Sequence, residues 1–149
     1  MEDLAIRLIH ACGMVDIADD PADVERYGSE IDPDRTGPVL DNTRKNALSA
    51  TTRSLVDGLS AAAAAEGVPF AGDCEGGMFG FFLLPSLPSN YPQVMKTDGT
   101  KFNTLFHGLL DRGVYIAPAL YEAGFVSGAH TAQDIADTVS AARDIFKAL

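Results

Sequence analysis

Only two cysteines, Cys12 and Cys74, occur in the 149 residues, and they stand far apart. That spacing excludes a clustered thiolate metal site, and a pair of thiols in such a chain is expected to be reduced rather than bridged. Basic residues are scarce. Lys and Arg total 11 against 21 Asp and Glu, a formal net charge of -10. A surface of that sign repels phosphate backbones and anionic lipid, so nucleic acid and membrane surfaces are poor partners. No apolar run approaches the roughly 20 residues of a membrane span. The N-terminal stretch has Glu2, Asp3, Arg7 and His10 among its apolar residues. It does not read as a secretory signal, and the cytoplasm is the default compartment.

What remains is an ordinary globular composition, 46% hydrophobic and 21% charged, at a length that fits one domain with a real core. Organisation changes along the chain. Leu4, Ala5, Leu8, Ile9 and Cys12 have helical spacing, with Gly13 as a stop, so residues 1–15 are expected to carry a short helix. Residues 16–46 are rich in Asp, Pro and Gly and weakly periodic, which reads as an acidic loop or linker with one short helix after Pro21.

From Ala47 the pattern sharpens into a domain over 47–149. Leu48, Leu55, Leu59 and Ala62 mark one face of a long helix that ends near Glu66 and Gly67. "VPFAG" and "GGMFGFFLLP" read as strands, and "SLPSNYP" as loop. Phe102, Leu105, Phe106, Leu109 and Leu110 stripe a second helix over 100–112, stopped by Gly113. "VYIAP" and "AGFVS" are two more strand candidates. Thr131, with Asp134 three residues on, opens a last helix through a capping box, and Ile135, Val139, Ala142 and Phe146 form its buried stripe. Strand pairs separated by helices predict an α+β fold: a small, mostly antiparallel sheet covered by helices, preceded by a short N-terminal helix and an acidic connector.

Few residues suggest chemistry. "DPDRTG" begins like a calcium loop with Asp32, Asp34, Thr36 and Gly37, but its twelfth position is Thr43 where a bidentate Glu is needed, so it reads as an acidic turn. "GDCEGGMFG" matches neither a phosphate loop nor a dinucleotide fingerprint. His10, His107 and His130 lie in separate elements, so no metal site is expected. His107 reads as a helix-surface residue, His130 as part of a turn, and His10 as a packing residue of the first helix. Glu122 stands between Tyr121 and Ala123 within an apolar stretch. An unpaired carboxylate is seldom buried there. It is either an edge position facing solvent or a site carboxylate.

From about Ser49 to the C-terminus the sequence resembles the C-terminal small domain of glutamate-1-semialdehyde 2,1-aminomutase, a class III, fold-type-I pyridoxal-phosphate isomerase of tetrapyrrole biosynthesis. The residues that carry the resemblance are "GGMFGFF" at 76–82, "FHGLLDRGVYIAP" at 106–118, "YEAGFVSGAHT" at 121–131 and "DIADTVSAAR" at 134–143. The resemblance implies a small domain that closes over a cofactor held mainly by a large domain. It also implies that Glu122, the acid of the family's "FEAGF" run, lies near that cofactor. Where the family commonly has Ser-Gln-Phe before the acid, this chain has Ala119, Leu120 and Tyr121. The family's Schiff-base lysine belongs to the large domain, and none of Lys45, Lys96, Lys101 and Lys147 stands in its context. No cofactor is therefore expected on this chain alone, and no catalysis by it alone. The alternative is a non-catalytic interaction domain that self-associates or takes a partner chain through an exposed face near Tyr121 and Leu120.

"RLIHACGMV" at 7–15 is similar to a motif of precorrin-8X methylmutase, a cobalamin-pathway enzyme, in which the motif histidine, here His10, assists methyl migration. That resemblance implies a chain joined from pieces, and it leaves a methylmutase-like fragment as a further alternative.

Overall fold

The computed structural model describes residues 42–149. The expected helix around His10, Cys12, the acidic calcium-like turn up to Asp41 and the methylmutase-like stretch lie outside the described residues.

Helix α1 runs Asn42–Ala65, starting earlier than the stripe from Leu48 implies. Its inward positions Leu55, Val56, Leu59, Ala62 and Ala63 recur at three- and four-residue spacing and are all buried. Thr52 shares this face, fully buried, because its hydroxyl donates to the Leu48 carbonyl at 2.9 Å and so needs no other partner. The helix ends where Gly67 takes a positive φ of 70°. That left-handed residue lets Val68 N–H reach back to the Ala63 carbonyl at 2.9 Å and Gly67 N–H to that of Ala64 at 3.2 Å, the paired bonds of a Schellman stop.

A hairpin follows. Strand β1, Ala71–Glu75, pairs antiparallel with β2, Met78–Phe82, from Ala71↔Phe82 to Glu75↔Met78. Gly76 and Gly77 make the turn, and Gly76 has a φ of 56° that an L side chain resists. Short helix α2, Tyr91–Val94, is capped by the Asn90 side chain and has a proline in its first turn. Helix α3, Gly99–Leu110, begins where Asp98 accepts from the Thr100 and Lys101 amides. It stops at Gly113 with the same pair of reverse bonds, from Gly113 N–H to Leu110 and from Val114 N–H to Leu109. Strand β3, Gly124–Phe125, pairs antiparallel with Met78 and Phe79. Helix α4, Ala132–Phe146, opens with the expected capping box of Thr131 and Asp134.

The sheet is a three-stranded antiparallel meander in the order β1-β2-β3, with α1 packed against β1 and β2. Helix α4 packs against both α1 and α3. Gly58 permits the α1–α4 contact, since a Cβ there would fall 2.6 Å from Val139 Cγ2. One core holds the helices to the sheet through Leu55, Leu59, Phe79, Phe102, Leu105, Ile145 and Phe146. Phe82 and Val94 centre a second, smaller cluster. The α+β class expected from the sequence is what the chain adopts.

Several boundaries differ from the sequence reading. "VPFAG" contributes only its last two residues to β1, which extends instead to Glu75. Pro69 has no N–H for a ladder, and Phe70 spends its side chain stacking on Phe81 at 5.3 Å between ring centroids. "AGFVS" forms a ladder only at Gly124 and Phe125. "VYIAP", residues 114–118, is no strand, since its backbone joins no ladder with any described strand. The loop "SLPSNYP" runs into α2, which is too short to show a periodicity.

Candidate functional site

The stretch from Val114 to Gly124 carries the acid singled out from the sequence. Gly113 releases the chain from α3, and Val114 and Ile116 then pack against the core while Tyr115, 71% exposed, sets its ring edge-on to Phe106 at 6.3 Å between centroids. A weak turn at Ala119, whose carbonyl accepts from Glu122 N–H at 3.5 Å, redirects the chain toward β3. Glu122 sits on that turn and is exposed. Its carboxylate makes no ion pair or hydrogen bond with another described residue. A solvent-facing position is compatible with both readings of this acid, an edge residue or a site carboxylate that a larger part would cover.

Glu122 lines the rim of a crevice together with Phe81, Phe102, Ile116 and Gly124. The crevice has a volume of about 20 Å³, room for roughly one water. Its other lining residues are apolar or glycine, and no basic side chain reaches it. A phosphorylated pyridine needs an anion cradle and several times that volume. The residues around Glu122 therefore do not fit a pyridoxal-phosphate group by themselves.

The neighbours of Glu122 are less exposed than the sequence suggests. Leu120 packs against the main core. Tyr121 packs on the Phe82–Val94 cluster, and its hydroxyl lies 3.4 Å from Met95 Sδ. The exposed large apolar residues among the described residues are instead Tyr91, Met95, Leu110, Tyr115 and Phe125.

His130 shapes a turn, as its sequence position implies. Its Nδ1 accepts the Ser127 amide at 3.0 Å and lies 3.0 Å from the Ser127 hydroxyl. The Asp134 carboxyl is held below the usual aspartate range, first by the Thr131 backbone N–H, then by the Thr131 hydroxyl, with a smaller contribution from nearby His130. His107 lies exposed on α3, its ring edge-on to Phe106 at 5.1 Å. No group of three or more His, Cys, Asp or Glu side chains converges among the described residues. No helix among them is long and apolar enough to cross a membrane.

Two features had no clear signal in the sequence. Arg53 on α1 donates to Asp73 Oδ1 at 2.9 Å and to the Cys74 carbonyl at 3.1 Å, and the Cys74 amide donates to the same Asp73 oxygen. The hydrogen bond to Asp73 raises the Arg53 pKa further, while burial pushes the Cys74 thiol up and keeps it protonated. This knot ties α1 to β1 and leaves the cysteine a core residue. The second feature is a groove of about 360 Å³ between α1 and α4, floored by Gly58, Ile135 and Val139 and rimmed by Ser54, Ser140 and Arg143.

No family model matches the chain. Curated proteins do. The chain is 74% identical over 104 residues to the glutamate-1-semialdehyde 2,1-aminomutase of Acidovorax ebreus (strain TPSY), a match that covers 70% of this chain and 24% of that protein. Against the aminomutase of Albidiferax ferrireducens it is 75% identical over 100 residues, 67% of this chain and 23% of the relative. Against that of Delftia acidovorans it is 61% identical over 104 residues, again 70% of this chain and 24% of the relative. The chain thus spans about a quarter of the length of the curated relatives it matches, and the resemblance drawn from "GGMFGFF" and "YEAGF" holds over most of this chain.

Proposed function

We propose that this chain, similar to a segment of glutamate-1-semialdehyde 2,1-aminomutase over some 70% of its length, supplies the small domain of that isomerase. The reaction would be conversion of glutamate-1-semialdehyde to 5-aminolevulinate in tetrapyrrole synthesis. The observation that carries the reading is the 74% identity over 104 residues, a level at which fold and local geometry are retained. Pyridoxal phosphate, when bound in such an enzyme, supplies the electron sink for carbon–nitrogen exchange. The crevice at Glu122 fits no such group, so on this reading the rest of the enzyme holds the cofactor and these 149 residues alone are inactive. Glu122 would then be a solvated carboxylate presented toward that larger part. The exposed aromatic residues Tyr115 and Phe125 support a covered face, for the larger part of the enzyme or for a second copy of this chain.

A chimera tests this. The matched 104 residues of the Acidovorax ebreus enzyme are replaced by their counterpart from this chain. The chimera is expected to form 5-aminolevulinate, while the 149-residue chain forms none. A folded but inactive chimera would refute the assignment. Treatment of the chain alone with pyridoxal phosphate and borohydride should leave no stoichiometric adduct on any of Lys45, Lys96, Lys101 or Lys147.

A further inference from the structure

The groove between α1 and α4 plays no part in the surroundings of Glu122. Its volume of about 360 Å³ is more than twice the roughly 150 Å³ that admits a benzene-sized group. Its floor is apolar, with buried Ile135 and half-buried Val139 facing Gly58. Along its α4 side Ala132, Ala136, Ser140 and Arg143 recur at four- and three-residue spacing, so it follows that helix for about 16 Å. Arg143 is the charged residue on its rim, and the guanidinium makes no hydrogen bond or ion pair with another described residue.

The chain carries a segment of matching length and charge. Residues 4–12, outside the described residues, have Leu4, Ala5, Leu8, Ile9 and Cys12 at helical spacing, a stripe that needs cover. Glu2 stands three residues before Ala5 and seven before Ile9, on the flank of that stripe. As a helix, Glu2 to Cys12 would span about 15 Å, close to the length of the groove. We propose that residues 2–12 dock in this groove as a helix antiparallel to α4, with Glu2 on Arg143 and Cys12 beside Ala132. Chain connectivity supports that direction. Helices α1 and α4 run in the same sense, since Gly58 meets Val139 and Glu66 lies near Lys147. The Ala132 end of the groove is therefore the end at which α1 starts. From Gly58 back to Asn42 is about 24 Å along α1, and residues 13–41, at roughly 3.3 Å each, reach several times that. Charge agrees. Eleven of the 21 acidic residues and three of the 11 basic ones precede Asn42, so an acidic segment meets a domain close to neutral. The tether favours this chain's own segment over a second copy's, at an effective concentration on the order of mM. These residues precede the stretch that resembles the aminomutases, so the inference does not rest on the proposed function.

Cys12, at the middle of the stripe, reports the docking in the full 149-residue chain. Its thiol should react with iodoacetamide at least about 10-fold more slowly than in Leu8→Glu, with the labelled site read by peptide mass. Ala136→Glu places a charge on the exposed α4 rim, away from the core clusters, and should release Cys12 equally. Direction is read by a disulfide. Ala132→Cys should close an intrachain bond with Cys12 when oxidised glutathione takes up the two electrons, and Ser140→Cys should not. A Cys12 that labels at the same rate in the parent and in Leu8→Glu would overturn the inference. So would a protected Cys12 that Ala136→Glu leaves protected, since the segment would then pack elsewhere. A disulfide between two chains would give the groove to a second copy and overturn it too, and a bond that favours Ser140→Cys would overturn the antiparallel docking.

Discussion

Gly124 lies two residues after Glu122 and directly opposite Phe79 in the β2–β3 pair. A Cβ at this position would fall 2.3 Å from Phe79 Cζ, 2.5 Å from Cε1 and 2.9 Å from Cε2. The blocking group is the ring of a core residue only 6% exposed, so it has little room to retreat. Gly124→Ala must therefore tilt the ring off its rotamer or lift β3 from β2. Overpacking of this kind destabilises by roughly 1–3 kcal/mol. Gly124 is not among the positive-φ glycines, so alanine also gains about 0.4–1 kcal/mol by restricting the unfolded chain. The steric effect is the larger, and a net loss of about 1–2 kcal/mol is expected. Urea melts of the 149-residue chain measure it. A second variant isolates the cause. Phe79→Leu shortens the side chain, so the double variant should lose less than the sum of the two singles, with a coupling of at least about 0.5 kcal/mol. Gly124→Ala within about 0.5 kcal/mol of the parent, with no coupling, would mean that β3 does not sit against Phe79 and that the placement of Glu122 is wrong.

Three further outcomes follow from the same packing. Phe146→Ala removes a ring that is 1% exposed at the meeting of the helices and the sheet, and should cost roughly 3–5 kcal/mol in a urea melt. Glu122→Gln should change stability by less than about 0.5 kcal/mol, because the carboxylate is solvated and unpaired among the described residues. A loss of several kcal/mol there would instead reveal a buried pair and remove the argument for a carboxylate presented outward. Acid should weaken the cap of α4. Asp134 has a lowered carboxyl pKa in the folded chain, so its contribution is fully present above the ordinary aspartate range and is lost as pH falls through the folded value. Urea midpoints taken downward from neutral pH should fall less steeply in Asp134→Asn, and identical slopes would contradict the capping role.

Much of the fold was legible because helices announce themselves over many residues. The stripe from Ile135 to Phe146, the Thr131–Asp134 box and the glycines at 67 and 113 each combine a period with a stop, and each stands where the sequence puts it. Strands carry a weaker signal, since an apolar run says that a segment is covered and not that it is paired. That is why "VPFAG" shifts toward Glu75, and why "VYIAP" is covered without joining a ladder. Helix α2 escaped notice because four residues cannot show a 3.6-residue period, and only Asn90 and the proline two residues on mark its start. Around Glu122 the sequence misjudged the neighbours rather than the acid. An exposed face was expected at Leu120 and Tyr121, yet both spend their side chains on two different clusters, and the turn between them and β3 leaves the acid outside both. A carboxylate in that position contributes nothing to this domain's own packing. The "YEAGF" run sets it beside a crevice where residues of the sheet, α3 and the 114–118 stretch meet, which is where the proposed function would have a larger part of the enzyme reach it.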